Sequence, residues 1–131
     1  MLILDTCAII FDALTPDRLG KKAALAIERA AETGNLACCD ISLWEIAMLV
    51  ARGRLDPGTD AREFIGLVMT ARRYAVLAIS PEIAVKSADP DFCAHGDPAD
   101  RIIAASALIH RAKLVTSDRK LAAMEGLQVI W

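Results

Sequence analysis

The chain has 131 residues, enough for one domain with a substantial core, and its apolar fraction of 55% argues against a disordered protein. The net charge of −2 argues against a generic basic coat for nucleic acid, so any nucleic acid must be held by local basic clusters. The apolar runs are far too short to cross a bilayer, and no basic segment precedes a signal-like run, so we expect a cytoplasmic protein.

Short apolar runs alternate with helix-length segments along the whole chain. Apolar spacing, Gly34 and Gly53 as helix stops, and turn residues around Pro90 and Pro98 set the boundaries. The predicted elements are strand 2–4, helix 6–14, helix 17–33, strand 36–39, helix 42–52, helix 60–73, strand 74–79, helix 81–88, helix 98–111, strand 113–116, helix 119–124 and strand 128–131.

Strands separated by helices predict right-handed crossovers and a mainly parallel sheet. The sequence has no repeat, linker or low-complexity tract, so residues 1–131 are predicted to form a single domain. The fold class is therefore α/β, a three-layer α/β/α sandwich with four or five strands. In such sheets the functional site lies beyond the carboxyl ends of the strands.

Four carboxylates are predicted to reach that carboxyl edge. Asp5 follows the first strand, and Glu45 lies in the first turn of the helix after the second strand. Asp100 lies in the first turn of the helix that precedes the fourth strand, and Asp118 closely follows that strand. Because their positions in the sequence are far apart, local composition does not explain why they converge.

Helix capping is an alternative explanation for each acid taken alone. Ser42 and Glu45 fit a capping box, and Asp97, Pro98 and Asp100 fit a capped helix start. Taken together, capping is less satisfactory, since carboxylates about 5 Å apart repel by roughly 3 kcal/mol per pair at an effective dielectric near 20. Raised pKa values or a bound multivalent cation would relieve this repulsion. All-oxygen ligands favour Mg²⁺ or Mn²⁺ over zinc.

At these residues the chain resembles the PIN-domain ribonucleases, and most closely the VapC toxins of bacterial toxin–antitoxin pairs. The matching pieces lie in the right order over nearly the whole chain, at residues 2–7, 42–46, 96–105 and 114–121. The resemblance implies strand order 3-2-1-4-5 and a quartet of acids, Asp5, Glu45, Asp100 and Asp118, that binds Mg²⁺ or Mn²⁺. It also implies hydrolysis of RNA by metal-activated water, a homodimer, and an antitoxin whose C-terminal part covers the acidic groove.

Several other residues are candidates for supporting roles. Thr6 and Ser117 match hydroxyl or polar positions of the family, and Arg101 could reach a phosphate or pair with an acid. Glu45 could be a metal ligand or a base that orients water. Three basic pairs are candidates for binding the phosphate backbone of a nucleic acid: Arg52/Arg54, Arg72/Arg73 and Arg119/Lys120.

The remaining candidates favour structural interpretations. His95 is predicted to be an ordinary loop histidine. Trp44 is expected in the core or on a dimer face, and the cysteines are expected to be small buried residues in a reducing compartment.

Other α/β acidic sites fit less well. A phosphoacceptor receiver needs an acid after the third strand, and a haloacid-dehalogenase phosphatase needs Asp-x-Asp after the first strand. A dinucleotide-binding domain needs a glycine-rich turn after the first strand. The sequence has none of these features. The alternative left open is a non-catalytic PIN-like module that binds RNA or protein.

Overall fold

The structure is a computed structural model that describes residues 1–93 and 96–131. Within these residues one sheet contains five parallel strands in the order β3-β2-β1-β4-β5, which confirms the predicted topology. The strands are β1 (Leu2–Leu4), β2 (Leu36–Cys39), β3 (Ala75–Leu77), β4 (Lys113–Val115) and β5 (Val129–Ile130).

Helices connect the strands and cover both faces of the sheet. They are α1 (Thr6–Leu14), α2 (Lys21–Glu32), α3 (Asp40–Ala51), α4 (Ala61–Arg72), α5 (Pro81–Ala88), α6 (Pro98–Ile109) and α7 (Arg119–Ala122), with a short 3-10 helix at Pro16–Arg18. No helix of the described residues is long and apolar enough to pass through a membrane.

The two faces of the sheet pack against different helices because successive strand residues point to opposite sides. Leu2 and Leu4 of β1 belong to one core with residues of α1, α2, α3 and α4. Ile3, between them, belongs to a second core with residues of α6 and Leu121 of α7. These two cores make the three layers of the sandwich.

Two predicted helix starts were wrong. The helix predicted from residue 17 begins at Lys21, because the chain first makes the 3-10 helix and then passes Gly20. A Cβ at Gly20 would lie 2.5 Å from the backbone carbon of Trp131, so the chain is held against its own C-terminal residue. The helix predicted from residue 42 begins at Asp40, which places Ser42 inside the helix.

An ion-pair network joins three helices on one face. Arg72, at the end of α4, donates two hydrogen bonds to Asp12 of α1 at 2.9 and 2.8 Å and one to Glu28 of α2 at 2.8 Å. Such a two-pronged contact fixes the guanidinium plane. Arg72 therefore serves helix packing, which argues against its predicted role as a phosphate-binding residue.

Candidate active site

The four predicted acids occupy the carboxyl edge of the sheet. Asp5 directly follows β1, and Asp118 closely follows β4, the strand paired with it. Glu45 lies in the second turn of α3, which follows β2, and Asp100 lies in the first turn of α6. The segments after β1, β2 and β4, together with the start of α6, thus carry all four acids to one side of the molecule.

Asp5 caps α1 and is almost fully buried, with 7% of its surface exposed. Its Oδ1 accepts a hydrogen bond of 2.6 Å from the backbone N–H of Ala8. Burial raises the pKa of Asp5 above its ordinary value, and the charge of Asp118 raises it further, while a hydrogen bond from the Thr116 hydroxyl opposes the shift. Asp5 and Asp118 are therefore close enough to repel each other.

Glu45 is half-buried and faces the start of α1. Its Oε2 accepts a hydrogen bond from the Thr6 hydroxyl, which also shares a hydrogen bond of 3.0 Å with the buried Ser42. Burial raises the pKa of Glu45, and the nearby Asp100, Asp97 and Asp5 raise it further.

The capping-box explanation for Glu45 is wrong. The helix starts at Asp40 after the N-cap residue Cys39, so Ser42 is not the cap and Glu45 lies too far along the helix to reach back to it. Glu45 instead bonds to a residue on another helix.

The other acids at this edge have local hydrogen bonds. Asp118 caps α7 and accepts from the backbone N–H groups of Lys120 at 2.7 Å and Leu121 at 3.1 Å. Asp97 caps α6 through the N–H of Ala99 at 2.8 Å, as predicted. Asp100 lies three residues further on, where the positive end of the helix dipole favours a carboxylate.

The donor set fits a hard divalent ion in chemistry, since every candidate ligand is a carboxylate. Among residues 1–93 and 96–131, however, no three acidic, histidine or cysteine side chains are grouped closely enough to hold a metal. Asp5 and Asp118 are turned toward their own helix starts, whose backbone N–H groups they accept from. Binding a shared ion would require these side chains to turn toward one another.

Thr116 is a contributor that the sequence reasoning missed. It is 1% exposed, its hydroxyl hydrogen-bonds Asp5, and its Oγ1 accepts from the backbone N–H of Asp118 at 3.0 Å. It therefore links the two acids that follow β1 and β4. The neighbouring Ser117, which was the predicted supporting residue, is exposed. Leu114 and Thr116 are two residues apart on an extended segment, so their side chains point to the same inward face of the sheet. This alternation was the signal that could have identified Thr116.

Arg101 has a different surrounding from the one expected. Its guanidinium donates to the backbone carbonyls of Ser87 at 2.6 Å, Cys93 at 2.6 Å and Asp89. These carbonyls lie at or just beyond the end of α5, so the side chain closes that helix and the following turn. The hydrogen bonds indicate a structural role rather than a contact with phosphate.

The remaining candidates have mixed outcomes. Trp44 is 60% exposed, so the prediction that it packs in the core is wrong and the dimer-face interpretation remains. Cys7 is exposed, contrary to expectation, whereas Cys38, Cys39 and Cys93 are buried as predicted. Partial burial of its sulfur and the neighbouring carboxylates raise the pKa of Cys7 to about 11, so it is a neutral thiol at pH 7. His95 lies outside the described residues.

Comparison with known proteins identifies the family of this chain. The family model of the PIN domain matches residues 2–127. Ribonuclease VapC22 of Mycobacterium tuberculosis is 33% identical over 120 residues, which cover 92% of this chain and 88% of the relative.

Solved structures share the fold at lower identity. VapBC2 from Rickettsia felis, bound to a DNA fragment of its promoter, superposes with a TM-score of 0.74 at 16% identity and covers 98% of this chain and 96% of that one. FitAcB from Neisseria gonorrhoeae gives a TM-score of 0.67 at 19% identity, covering 100% and 97%. A toxin–antitoxin complex from Klebsiella pneumoniae gives 0.63 at 21% identity, covering 100% and 97%. With the family model matching almost its entire length, the chain belongs to the PIN-domain family, among its VapC-type members.

Proposed function

We propose that this protein is an endoribonuclease that hydrolyses RNA phosphodiester bonds with Mg²⁺ or Mn²⁺, as the toxin of a type II toxin–antitoxin pair. One observation carries the proposal: four acids from separate segments lie at one sheet edge, where burial and the charge of Asp118 raise the pKa of Asp5, and burial and the charges of Asp100, Asp97 and Asp5 raise the pKa of Glu45. The related VapC22 is named a ribonuclease, which supports nuclease activity on this edge.

The proposed roles follow from the surroundings of each acid. Asp5, Asp100 and Asp118 would hold the ion, and Glu45 would either join them or accept a proton from the attacking water. The raised pKa of Glu45 favours the second role, because a base works best when its pKa approaches the working pH. A bound divalent ion supplies charge that stabilises the phosphate oxygens and favours deprotonation of water. In-line attack by water would leave a 5′-phosphate and a 3′-hydroxyl.

The decisive assay compares cleavage of total RNA by wild type and by Asp5→Asn in Mg²⁺, Mn²⁺ or EDTA. Asparagine also caps helices, so this change removes the charge and spares the start of α1. We expect a loss on the order of a hundredfold, the usual effect of losing one group that stabilises the transition state.

Asp60→Asn is the matched control, because Asp60 is an exposed acid that caps α4 through the N–H of Glu63. Equal cutting by wild type and Asp5→Asn would reject the assigned site. RNA binding without any cutting would support the non-catalytic alternative.

Metal binding can be measured without RNA. Mg²⁺ or Mn²⁺ should raise the unfolding temperature of the wild type, since an ion that binds only the folded state stabilises it by about 2.7 kcal/mol at one hundred times its Kd. Asp60→Asn should respond in the same way, and Asp5→Asn should respond much less. A wild type that shows no shift in millimolar metal would contradict the proposed ion.

The proposed partners are a cognate antitoxin and a second copy of the chain. The fold neighbours from Klebsiella pneumoniae and Rickettsia felis are complexes of toxin and antitoxin or of VapBC, which supports the antitoxin. Trp44 and apolar residues on and after the edge strand β3 are exposed, which supports a dimer face: Val76, Ile79 and Val85. Induction of wild type, and not of Asp5→Asn, should arrest growth in cells lacking the antitoxin. A cytoplasmic location remains a prediction of the sequence.

A further inference from the structure

A second charged feature lies away from the acids, in a cleft of about 670 Å³ between α2 and the strand pair β4–β5. Its floor includes Leu2 at the start of β1 and Lys113 at the start of β4, which are paired in the sheet. These residues lie at the amino ends of their strands, opposite the edge that carries Asp5. The cleft is therefore separate from the candidate active site.

The described residues that line this cleft include four cations and no acid: Lys22, Arg29, Arg111 and Lys113. All four are exposed, in a chain whose net charge is −2. Helix dipoles explain only half of them, since Arg29 lies in the last turn of α2 and Arg111 follows the end of α6. Lys22 lies in the first turn of α2, where the dipole disfavours a cation, and Lys113 lies on a strand.

The cleft extends along α2 rather than forming a local pit. Lys22 and Arg29 are seven residues apart on the same helix, which places them about 10 Å apart along its axis. The start of α2 is near the carboxyl edge of the sheet, because Gly20 packs on Trp131, the residue after β5. The row of cations thus leads from the amino edge toward the side of the molecule that carries the acids.

We propose that this cleft binds the phosphodiester backbone of single-stranded RNA, outside the segment that is cut. This inference rests on the proposed ribonuclease function and adds a second contact with its substrate. Lysine and arginine side chains spaced along a groove are suited to successive phosphates. The lining residues include no aromatic ring on which a base could stack, so the contact should be independent of sequence and sensitive to salt.

The test measures the affinity of a fluorescently labelled, unstructured RNA oligonucleotide by anisotropy in EDTA over a range of salt concentrations. The variant carries Arg29→Gln and Lys113→Gln. Each phosphate contact contributes about 0.7 to the slope of log K against log salt for single strands, so losing two should reduce the slope by about 1.4. Both residues are exposed, and an unchanged unfolding temperature will show that the variant is folded.

The matched control carries Arg62→Glu, which replaces an exposed cation in the first turn of α4 and changes the net charge by the same two units. The proposal expects the control to keep the wild-type slope. Equal losses in both variants would mean that binding follows net charge alone, and would overturn the proposal. Competition by poly-glutamate as strong as by unlabelled RNA would instead assign the cleft to acidic protein segments, and would also overturn it.

The result can be separated from the outcome of the cleavage assay. If wild type cuts no RNA but binds it in EDTA through Arg29 and Lys113, the proposed RNA-binding role of the cleft is supported and the proposed hydrolysis is rejected. If cutting depends on Asp5 and the cleft variant binds RNA like wild type, the proposed hydrolysis is supported and the RNA-binding role of the cleft is rejected.

Discussion

The hydroxyl of Thr6, the first residue of α1, donates a hydrogen bond to the carboxylate of Glu45 on α3. The two residues are 39 positions apart, so the contact joins the segment after β1 to the helix after β2. It lowers the pKa of Glu45 against the larger effect of burial, which raises it. Thr6 therefore influences both the direction and the proton affinity of this acid.

Replacing Thr6 with valine should weaken catalysis by altering Glu45. Without the hydroxyl, the pKa of Glu45 rises further, and at low pH the ionised form becomes about tenfold scarcer for each pH unit by which the pKa rises. The acidic limb of the pH–rate profile should move to higher pH, and Thr6→Ser should restore it. A profile that stays unchanged in Thr6→Val would contradict this positioning role.

Asp5→Asn should make the metal-free protein more stable at neutral pH. Burial raises the pKa of Asp5 above 3.8, so the folded state binds this proton more tightly than the unfolded state. Wild-type stability therefore falls as pH rises from the unfolded pKa through the raised folded pKa, by about 1.4 kcal/mol for each pH unit that separates the two pKa values. Unfolding temperatures in EDTA should favour Asp5→Asn at pH 7 and converge as pH falls toward 4. Lower stability of Asp5→Asn at pH 7 would refute the interpretation.

Arg101 should matter for stability and not for RNA affinity. Arg101→Lys removes the planar group that reaches the carbonyls of Ser87, Cys93 and Asp89, and should destabilise the fold by on the order of 3 kcal/mol. Denaturant unfolding measures the loss. The salt dependence of RNA binding should equal that of wild type, whereas a shallower slope would indicate a phosphate contact.

Gly20→Ala and Gly66→Ala should change stability in opposite directions. A Cβ at Gly20 would lie 2.5 Å from the backbone of Trp131, and relieving this overlap should cost about 1–3 kcal/mol. A Cβ at Gly66, inside α4, would meet nothing within 4 Å, and alanine there should stabilise by about 0.5–1 kcal/mol. Thermal unfolding of both variants distinguishes the two environments; equal effects would mean that the C-terminal residue does not pack on Gly20.

Val85→Asp should convert the proposed dimer to a monomer. Val85 is 75% exposed on α5, which directly follows the edge strand β3, and a charge there would be costly to bury in an interface. Leu67→Asp, at a site 60% exposed on α4, is the control and should remain dimeric. Size-exclusion chromatography with light scattering gives the mass. A wild type that is monomeric at micromolar concentration would exclude the dimer itself.

The parallel sheet and the edge that carries the acids could be predicted from the alternation of strands and helices, whereas the strand order was implied by the resemblance to the PIN-domain family. Asp5 and Asp118 follow their strands so closely that the parallel sheet must bring them together. The start of α3 could not be predicted, since Ser42 has the residue type of a cap and only the backbone shows that the helix begins at Asp40.

Long-range partners were also beyond the reach of the sequence. Arg72 forms its ion pair with Asp12, 60 residues away, and no residue pattern in the sequence around Arg72 indicates that contact. Arg101 likewise bonds to carbonyl oxygens, which every residue type provides and which leave no mark in the sequence. Basic residues were therefore the least predictable members of the candidate site.

The capping bonds of Asp5 and Asp118 have an evolutionary consequence. A capping residue would still be selected at both positions in a descendant that had lost nuclease activity, because each aspartate satisfies N–H groups of a helix start and only another cap such as asparagine could replace it. Glu45 caps no helix, so a decayed copy could lose it at little cost to its stability. In a survey of sequences, substitution of Glu45 would identify such copies sooner than loss of a capping residue at either aspartate position.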